Sequence, residues 1–337
     1  MKKDINKKII IGFSIGDYNG IGPEILLKSF SSSDLFNYCI PIIFCDKFVL
    51  NFYKEKLQTK INIKSIDKFY NNYNNNCIYT YKSTKQSLKI IPGKIEKDAG
   101  IYSINSLNEC TEALINQNID GIVTLPICKI NSQNHFFLFP GHTEYFSTKF
   151  QVDNNIMIMC SNLMKIGFIT GHIPLSSVSK NISKDYAEKK IKVFLESLKK
   201  DFKINNPKIA ILGLNPHSGE EGLIGNDEKS FIIPLMNELN NKSDIFYGPF
   251  SADSFFGLQK FKDYDGVISW YHDQGLVGFK SFCFDNGVNY TGGLPFVRTS
   301  PDHGTAFNIA GEGIANEKSL IESIRLNIEI INNRKFQ

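Results

Sequence analysis

DYDGVISWYHDQGLVGFKSF, residues 263 to 282, decides how the rest of the chain is read. Gly266 to Trp270 is a short continuous apolar run of the kind that forms a strand buried on both faces. Where that strand surfaces it delivers His272, Asp273 and, eight residues beyond the histidine, Lys280. A rigid strand that ends in a polar cluster hands side chains to a cleft. Three other runs end the same way: GIVTLP before Cys128 and Lys129, KIGFITG before His172, and KIAILGLNP before His217.

Working outward, strands and helices alternate. Lys8 to Ile15 predicts a strand, GDYNGIG a polar turn, and PEILLKSF a helix opened by Pro23 in its first turn. A second strand is expected at Ile40 to Cys45. Residues 54 to 87, rich in Asn and Lys, predict surface structure or edge strands. A helix from Ala99 to Gln117 precedes the GIVTLP strand; strands from Asn155 to Cys160 and Lys165 to Thr170 precede a helix from Ser183 to Lys200. A helix near Asp227 to Asn240 and a last one from Glu317 to about Asn333 complete the pattern. Such alternation predicts an α/β fold with mainly parallel sheets and helices on both faces. No internal repeat, low-complexity linker or clean domain boundary stands out.

With 337 residues the chain has room for two domains or one large α/β unit. Its formal charge is only +4 with acids and bases interspersed, which points to neither nucleic acid nor a membrane surface as partner. Seven cysteines without close pairing suggest neither a disulfide framework nor a thiolate zinc site, and a reducing cytoplasm is the simplest setting. Lys2, Lys3, Lys7 and Lys8 ahead of Ile9 to Ile15 imitate a secretory signal, but the run is short, Asp17 follows and no small-residue cleavage site appears, so a strand is expected there. No stretch approaches the ~20 apolar residues of a membrane span.

The histidines carry the chemistry. His172, His217 and His272 each follow a strand, and strand C-termini of a parallel sheet converge on one edge. Their spacings of 45 and 55 residues exclude a local zinc-finger ligand set, so any metal site is assembled by tertiary structure. Three protein ligands with an open position is the catalytic zinc pattern. Each ring alone would as readily cap a loop; three in one topological place favour a divalent metal. Lys280, Arg298 and Asn289 near the same edge suit an anionic substrate. In FPGHTEYF, His142 and Thr143 form a further polar pair after a Pro-Gly turn, and a plain structural role for Thr143 is a helix N-cap with Glu144 in the first turn. GIGPEI has only part of a dinucleotide fingerprint; the small-residue loop DHGTAFNIAGEGIAN, 302 to 316, is better suited to letting backbone approach a ligand, although a long turn before a helix would look similar.

These words resemble the 4-hydroxythreonine-4-phosphate dehydrogenase family of vitamin B6 (pyridoxal phosphate) synthesis over nearly the whole chain. The matching stretches are GDYNGIGPEI, LPICK, GHTEYF, GHIPL, GLNPHSGEEGLIGNDE, GPFSADSFF, YHDQG with the distant Lys280, and VNYTGGLPFVRTSPDHGTAFNIAGEGIAN. The resemblance implies a two-domain fold similar to isocitrate and isopropylmalate dehydrogenases, with a discontinuous NAD-side domain of residues 1–125 plus 285–337 and a metal, substrate and dimerisation domain of 126–284. It implies a homodimer whose active site lies at the subunit interface. The divalent metal, zinc first with magnesium or cobalt as alternatives, falls on His172, His217 and His272, the last from the other subunit. Substrate contacts fall on His142, Thr143, Lys280, Asn289 and Arg298. NAD or NADP contacts fall on His303, Gly304, Thr305, Ala306, Gly311, Gly313 and Asn316. Departures from the family pattern are Tyr18 and Asn19 where Pro and Ala are frequent, Cys128 where Asn is common, and the missing Pro after YHDQG, near Val277 and Gly278; they put substrate choice in question.

The implied reaction oxidises the C3 hydroxyl of 4-phosphohydroxy-L-threonine by hydride transfer to NAD, followed by loss of carbon dioxide. Lys280 is the first choice for general base, with Asp253 or Asp273 in reserve. A dehydrogenase of a phosphorylated sugar acid, threonate or erythronate 4-phosphate, would keep the same metal and NAD residues. A three-histidine metal hydrolase would leave residues 302 to 316 without a purpose, and a non-catalytic metal or NAD binding protein would leave Lys280 and Arg298 unexplained.

Overall fold

A computed structural model describes residues 8–81, 88–133, 138–139, 141–241 and 244–335. Lys2, Lys3 and Lys7 of the signal-like start, Pro140 of the expected Pro-Gly turn and residues 82–87 of the Asn-rich segment lie outside the described residues. The chain divides into two compact units, Met1–Glu144 with Phe296–Asn332, and Tyr145–Pro295 with Asn333–Gln337. His142 and Thr143 therefore fall in the first unit and Asn289 in the second.

Among the described residues the strands are β1 (Ile9–Ser14), β2 (Cys39–Phe44), β3 (Asn62–Ile66), β4 (Cys77–Tyr81), β5 (Gly121–Thr124), β6 (Ile156–Cys160), β7 (Lys165–Phe168), β8 (Ile209–Leu212), β9 (Phe246–Phe250), β10 (Gly266–Ser269), β11 (Val288–Gly292) and β12 (Val297–Pro301).

In the first unit the order is β3-β4-β2-β1-β5-β12, with every neighbouring pair parallel. Every residue of β1, β5 and β12 is buried, as a parallel sheet covered on both faces requires. Helices Gly22–Ser32, Lys47–Leu57, Lys97–Ile115 and most of Lys318–Lys335 surround it. From the last of these, Asn327 Nδ2 donates to the Ile122 carbonyl at 2.9 Å and to Thr299 Oγ1 at 3.1 Å, tying the helix to β5 and β12. The helix Lys47–Leu57 went unread in the sequence. Asp46 caps it by accepting from the Phe48 amide, and Val49, Leu50 and Tyr53 face inward at helical spacing.

The second unit is mixed, in the order β11-β6-β7-β10-β8-β9. Its β6 runs antiparallel to both β11 and β7, and the remaining pairs are parallel. The helix Lys184–Lys200 begins at Ser183, whose hydroxyl accepts from the Tyr186 amide, and buries Ala187, Ile191, Phe194 and Leu198. Its other core gathers Ile166, Phe168, Leu212, Val267, Phe255 and Phe279, each side chain contributing about 1.5–3 kcal/mol by leaving water. Two details were not read from the sequence. The residues after β10 form a helix, His272–Cys283, and the helix near 227 to 240 starts with a π turn, Glu228–Ile232, before Ile233–Leu239. All seven cysteines are buried, and none is joined in a disulfide among the described residues. Among the described residues no helix is long and apolar enough to cross a membrane.

Candidate active site

Strand register brings two of the three histidines together. Parallel β7 and β10 pair Ile166 with Val267 and Phe168 with Ser269. Past the strand ends they stay in step: the Ile169 amide donates to the Ser269 carbonyl at 2.9 Å, and Thr170 donates to the Trp270 carbonyl through both its amide, 3.1 Å, and its hydroxyl, 2.7 Å. His172 and His272 emerge side by side with ring centroids 5.3 Å apart. His272 opens the helix His272–Cys283, and its Nδ1 lies 2.6 Å from the Asp273 carboxylate. A carboxylate on one ring nitrogen fixes the ring's orientation and leaves Nε2 with its lone pair for a ligand.

Trp270 and Gln274, which the sequence did not single out, lock this edge. The Trp270 indole donates to the Leu212 carbonyl. Gln274 accepts from the Trp270 amide at 2.8 Å and donates to the Gly213 carbonyl at 2.6 Å, joining the ends of β10 and β8. Gly275 permits the approach of that helix to the sheet, because a Cβ there would sit 2.7 Å from the Phe168 ring.

His217 is exposed and starts a turn in which His217 to Glu221 all have left-handed backbone, φ +52, +52, +79, +44 and +55. Such conformations cost on the order of 1 kcal/mol or more per non-glycine residue and persist only when their surroundings enforce them. Buried Glu228 does so, accepting from the Asn215 amide at 2.8 Å and from Asn215 Nδ2 at 2.9 Å, while Asp227 accepts from the same Nδ2 at 2.8 Å. Among the described residues no three His, Cys, Asp or Glu side chains of one chain form a group able to hold a metal ion. The donor chemistry fits a zinc-like ion all the same: imidazoles, one already oriented by a carboxylate.

The other candidates of this unit occupy distinct positions. Lys280 lies two turns beyond His272 on the same helix, its ammonium 6.0 Å from the Phe284 ring centroid. Asn289 sits in β11 opposite Met159. The Asp253 carboxylate is exposed and accepts from the Ser251 hydroxyl at 2.5 Å; that bond, the Ser254 amide and the His217 ring hold it below the usual carboxylate range. Asp273 is engaged with His272.

In the first unit the register Arg298↔Ile122 places the Arg298 side chain near the end of β5. It is 2% exposed and donates to Thr124 Oγ1 through Nε at 3.1 Å and Nη2 at 2.7 Å, and through Nη2 to Ser300 Oγ at 3.0 Å. Burial pulls the guanidinium down to about 9 with the Glu144 carboxylate opposing, so it stays cationic at neutral pH. His142 begins the helix His142–Lys149. Burial, then the Arg298 and Lys129 cations, hold its pKa well below the usual imidazole range, so the ring is neutral at pH 7. Its Nε2 is buried without a hydrogen-bond partner among the described residues, a group that a ligand would satisfy. Thr143 lies inside this helix instead of capping it, and Glu144 is in the first turn.

Residues 302–316 form a loop with one 3-10 turn, Phe307–Ile309, and left-handed backbone at Ala306, Gly311 and Gly313. His303 Nδ1 lies 3.1 Å from the Gly304 carbonyl. A Cβ at Gly304 would meet nothing within 4 Å, leaving space in front of that backbone. Thr305 carries a carbonyl that accepts from the Ile21 amide at 2.9 Å, and Asn316 accepts from the Lys318 amide at 3.0 Å.

The departures from the family pattern have structural work in this chain. Tyr18 is buried edge-on to Tyr102, ring centroids 5.4 Å apart, and its carbonyl accepts from the Tyr53 hydroxyl at 2.7 Å. Buried Asn19 accepts from the Ile91 amide at 2.8 Å and donates to the Lys94 carbonyl at 3.2 Å, while its own carbonyl accepts from the Gly93 amide at 2.8 Å. Cys128 is buried just before the short helix Lys129–Ser132.

Comparison with known proteins places the whole chain. Residues 37–327 match the family model described as pyridoxal phosphate biosynthetic protein PdxA. A 4-hydroxythreonine-4-phosphate dehydrogenase from Bacteroides thetaiotaomicron is 40% identical over 329 residues, covering 97% of this chain and 90% of that protein. The crystal structure of a 4-hydroxythreonine-4-phosphate dehydrogenase from Klebsiella pneumoniae superposes with a TM-score of 0.82 at 29% identity, over 98% of this chain and 99% of that one. A beta-decarboxylating dehydrogenase from Thermococcus kodakarensis shares the fold alone, TM-score 0.51 at 13% identity over 97% of this chain and 84% of that one. A match this long, on a mostly parallel α/β fold with the expected polar groups at its strand ends, makes the chain a member of the PdxA family of pyridoxal phosphate biosynthesis.

Proposed function

We propose that the chain oxidises 4-phosphohydroxy-L-threonine at C3 to 2-amino-3-oxo-4-phosphohydroxybutanoate, which loses carbon dioxide to give 3-amino-2-oxopropyl phosphate, in the cytoplasm. The observation that carries the reading is the His172–His272 pair, 5.3 Å apart at the ends of two adjacent strands with Asp273 orienting one ring, in a chain of this family. His172, His217 and His272 are the ligands for a divalent ion, zinc first, with magnesium or cobalt as alternatives. No three such ligands of one chain form a group among the described residues, and the family resemblance assigns His272 to the second copy of a homodimer, so that each ion would take His172 and His217 from one chain and His272 from its partner. When bound, the ion supplies Lewis acidity at the C3 oxygen and NAD or NADP accepts the hydride.

The chain's own residues do the rest. Arg298 is a fixed, desolvated cation for an anionic group of the substrate, pre-organised by Thr124 and Ser300 before anything binds. Neutral His142 offers Nε2 for a hydrogen bond without adding charge. Thr143 and Asn289 complete the polar contacts. Lys280 takes the hydroxyl proton; Asp253 is the reserve base, and Asp273 is better placed to orient His272. His303, Gly304, Thr305, Ala306, Gly311, Gly313 and Asn316 receive the dinucleotide, with Gly304 keeping its approach clear.

The experiment is NADH formation from 4-phosphohydroxy-L-threonine, with and without a chelator, beside threonate 4-phosphate and erythronate 4-phosphate. Chelator-sensitive NADH production with a preference for the hydroxythreonine phosphate is expected. A preference for a sugar acid phosphate would replace the substrate, and turnover indifferent to metal removal would overturn the ligand assignment.

A further inference from the structure

Helix Gly22–Ser32 carries Glu24 and Lys28 one turn apart, and both reach the same short piece of the glycine-rich loop. Fully buried Glu24 accepts from the Ala315 amide through Oε1 at 2.8 Å and from the Gly313 amide through Oε2 at 3.2 Å. Lys28 Nζ donates to the carbonyls of Gly313, 3.3 Å, and Ala315, and faces the Glu317 carboxylate at 3.5 Å. The amide and the carbonyl of both Gly313 and Ala315 are thus held by two charged side chains of one helix. Lys56 adds a bond to the Gly311 carbonyl at 3.1 Å. Left-handed backbone at Gly311 and Gly313, φ +79 and +77, frees the loop to adopt this path, and the helix dictates which path it adopts.

One side of the loop is therefore fastened and the other is open. Ile314, between the two clamped residues, is 64% exposed, Asn316 is exposed, and Gly304 borders empty space. A buried carboxylate is tolerated only where donors satisfy it, and here the donors are the loop's own amides. Bonds from a charged group to backbone are about twice as strong as neutral ones, so the clamp fixes the backbone before any ligand arrives, and a preformed site avoids the cost of ordering at the moment of binding.

We propose that Glu24 and Lys28 are positioning residues for the dinucleotide: they set the backbone of residues 311–316 so that the open face of the loop is preformed. The inference rests on the reading of residues 303–316 as the dinucleotide loop, and it gives the GIGPEILLK stretch a role that a phosphate-binding fingerprint does not.

The test uses the full chain with its metal and four variants, Glu24→Gln, Lys28→Met, Lys28→Arg and Gly304→Val, the last filling the open space directly. Each is measured for the KM of NAD, the KM of the phosphorylated substrate, kcat, and amide hydrogen exchange across 311–316. Glu24→Gln and Lys28→Met should each raise the KM of NAD about tenfold, the equivalent of ~1.4 kcal/mol, with kcat changed less than about threefold, the substrate KM unmoved and exchange faster at 311–316. Lys28→Arg, which keeps the donors, should stay near wild type. Gly304→Val should raise the KM of NAD with exchange unchanged. If Glu24→Gln does not fold, half-buried Lys28→Met and its Arg counterpart carry the test. Folded clamp variants with faster exchange and an unaltered KM for NAD, alongside a damaged Gly304→Val, would overturn the clamp alone. An unaltered KM for NAD in Gly304→Val as well would overturn the loop assignment beneath it.

Discussion

The two units hold their polar residues in opposite ways. In the first, Arg298 is buried beside fully covered parallel strands and donates hydrogen bonds to Thr124 and Ser300 that hold the guanidinium in place, while half-buried His142 has its Nε2 buried. In the second, His172 and His217 are exposed, and His217 rides on a left-handed turn held from behind by Asn215 and Glu228. Burial pre-organises a charge at the expense of desolvation and needs no ligand to define its geometry. Exposed imidazoles are not fixed by burial, and on the proposed metal reading the ion that collects them would define their geometry. Removing a buried group should therefore damage binding through geometry already present, whereas removing an exposed ligand should abolish a site that exists only when assembled.

The largest effect separates the units most sharply. His172→Ala, His217→Ala and His272→Ala should each lower kcat/KM on the order of a thousandfold or more, reduce metal retained after gel filtration, and leave the circular dichroism unchanged; an active triple variant would end the metal assignment. Mixing the His172→Ala and His272→Ala chains sharpens the point. If the two rings serve one ion from different subunits, mixed dimers keep one intact site and recover about a quarter of wild-type activity. If both serve from one chain, nothing returns.

In the first unit, Arg298→Met should raise the KM of the phosphorylated substrate about a hundredfold, as expected for losing a buried charged hydrogen-bond donor, with metal content unchanged. Loss of metal in this variant would erase the distinction between the units. His142 gives a smaller, pH-dependent effect. Its folded pKa is lowered, so the unfolded chain takes up the proton first as pH falls. The stability it confers is complete above about pH 6.5 and drains away below that, by up to ~1.4 kcal/mol per pH unit. Urea unfolding at pH 7 and pH 5 should show a steeper loss for the wild type than for His142→Gln, and equal slopes would contradict a neutral buried ring. Asn19→Ala, which breaks bonds to Ile91 and Lys94, should cost about 1–3 kcal/mol of stability without altering the preference between hydroxythreonine and sugar acid phosphates. A changed preference would return Asn19 to substrate choice.

Much of this was legible in the chain itself, because short apolar runs followed by polar residues announce strand ends, and strand ends are where His172, His217, His272 and Lys129 stand. Helix Lys47–Leu57 was hidden by three lysines, Asn51 and Glu55 interleaved with its apolar face, although Asp46 offered a capping signal. Helix His272–Cys283 was hidden by Gly275 and Gly278, poor helix formers that exist here because Phe168 and Phe256 press against them. The left-handed run His217 to Glu221 read as ordinary loop, since nothing local to HSGEE demands positive φ; the demand comes from Asn215 and Glu228. The Glu24 clamp joins residues 291 positions apart, a pairing that no local pattern reveals. The structural role of Tyr18 and Asn19 was likewise visible only once Tyr102, Tyr53 and the 91–94 segment were seen around them.

X-ray absorption at the zinc edge of the zinc-loaded full chain asks most directly whether the separated histidines share one ion. A first shell containing nitrogen at ~2.0–2.1 Å with the outer-shell scattering of three imidazoles, one ring fewer in each single histidine variant, is the expected spectrum. A shell of oxygen or sulfur alone, or a spectrum unchanged by removing His172, His217 or His272, would contradict it.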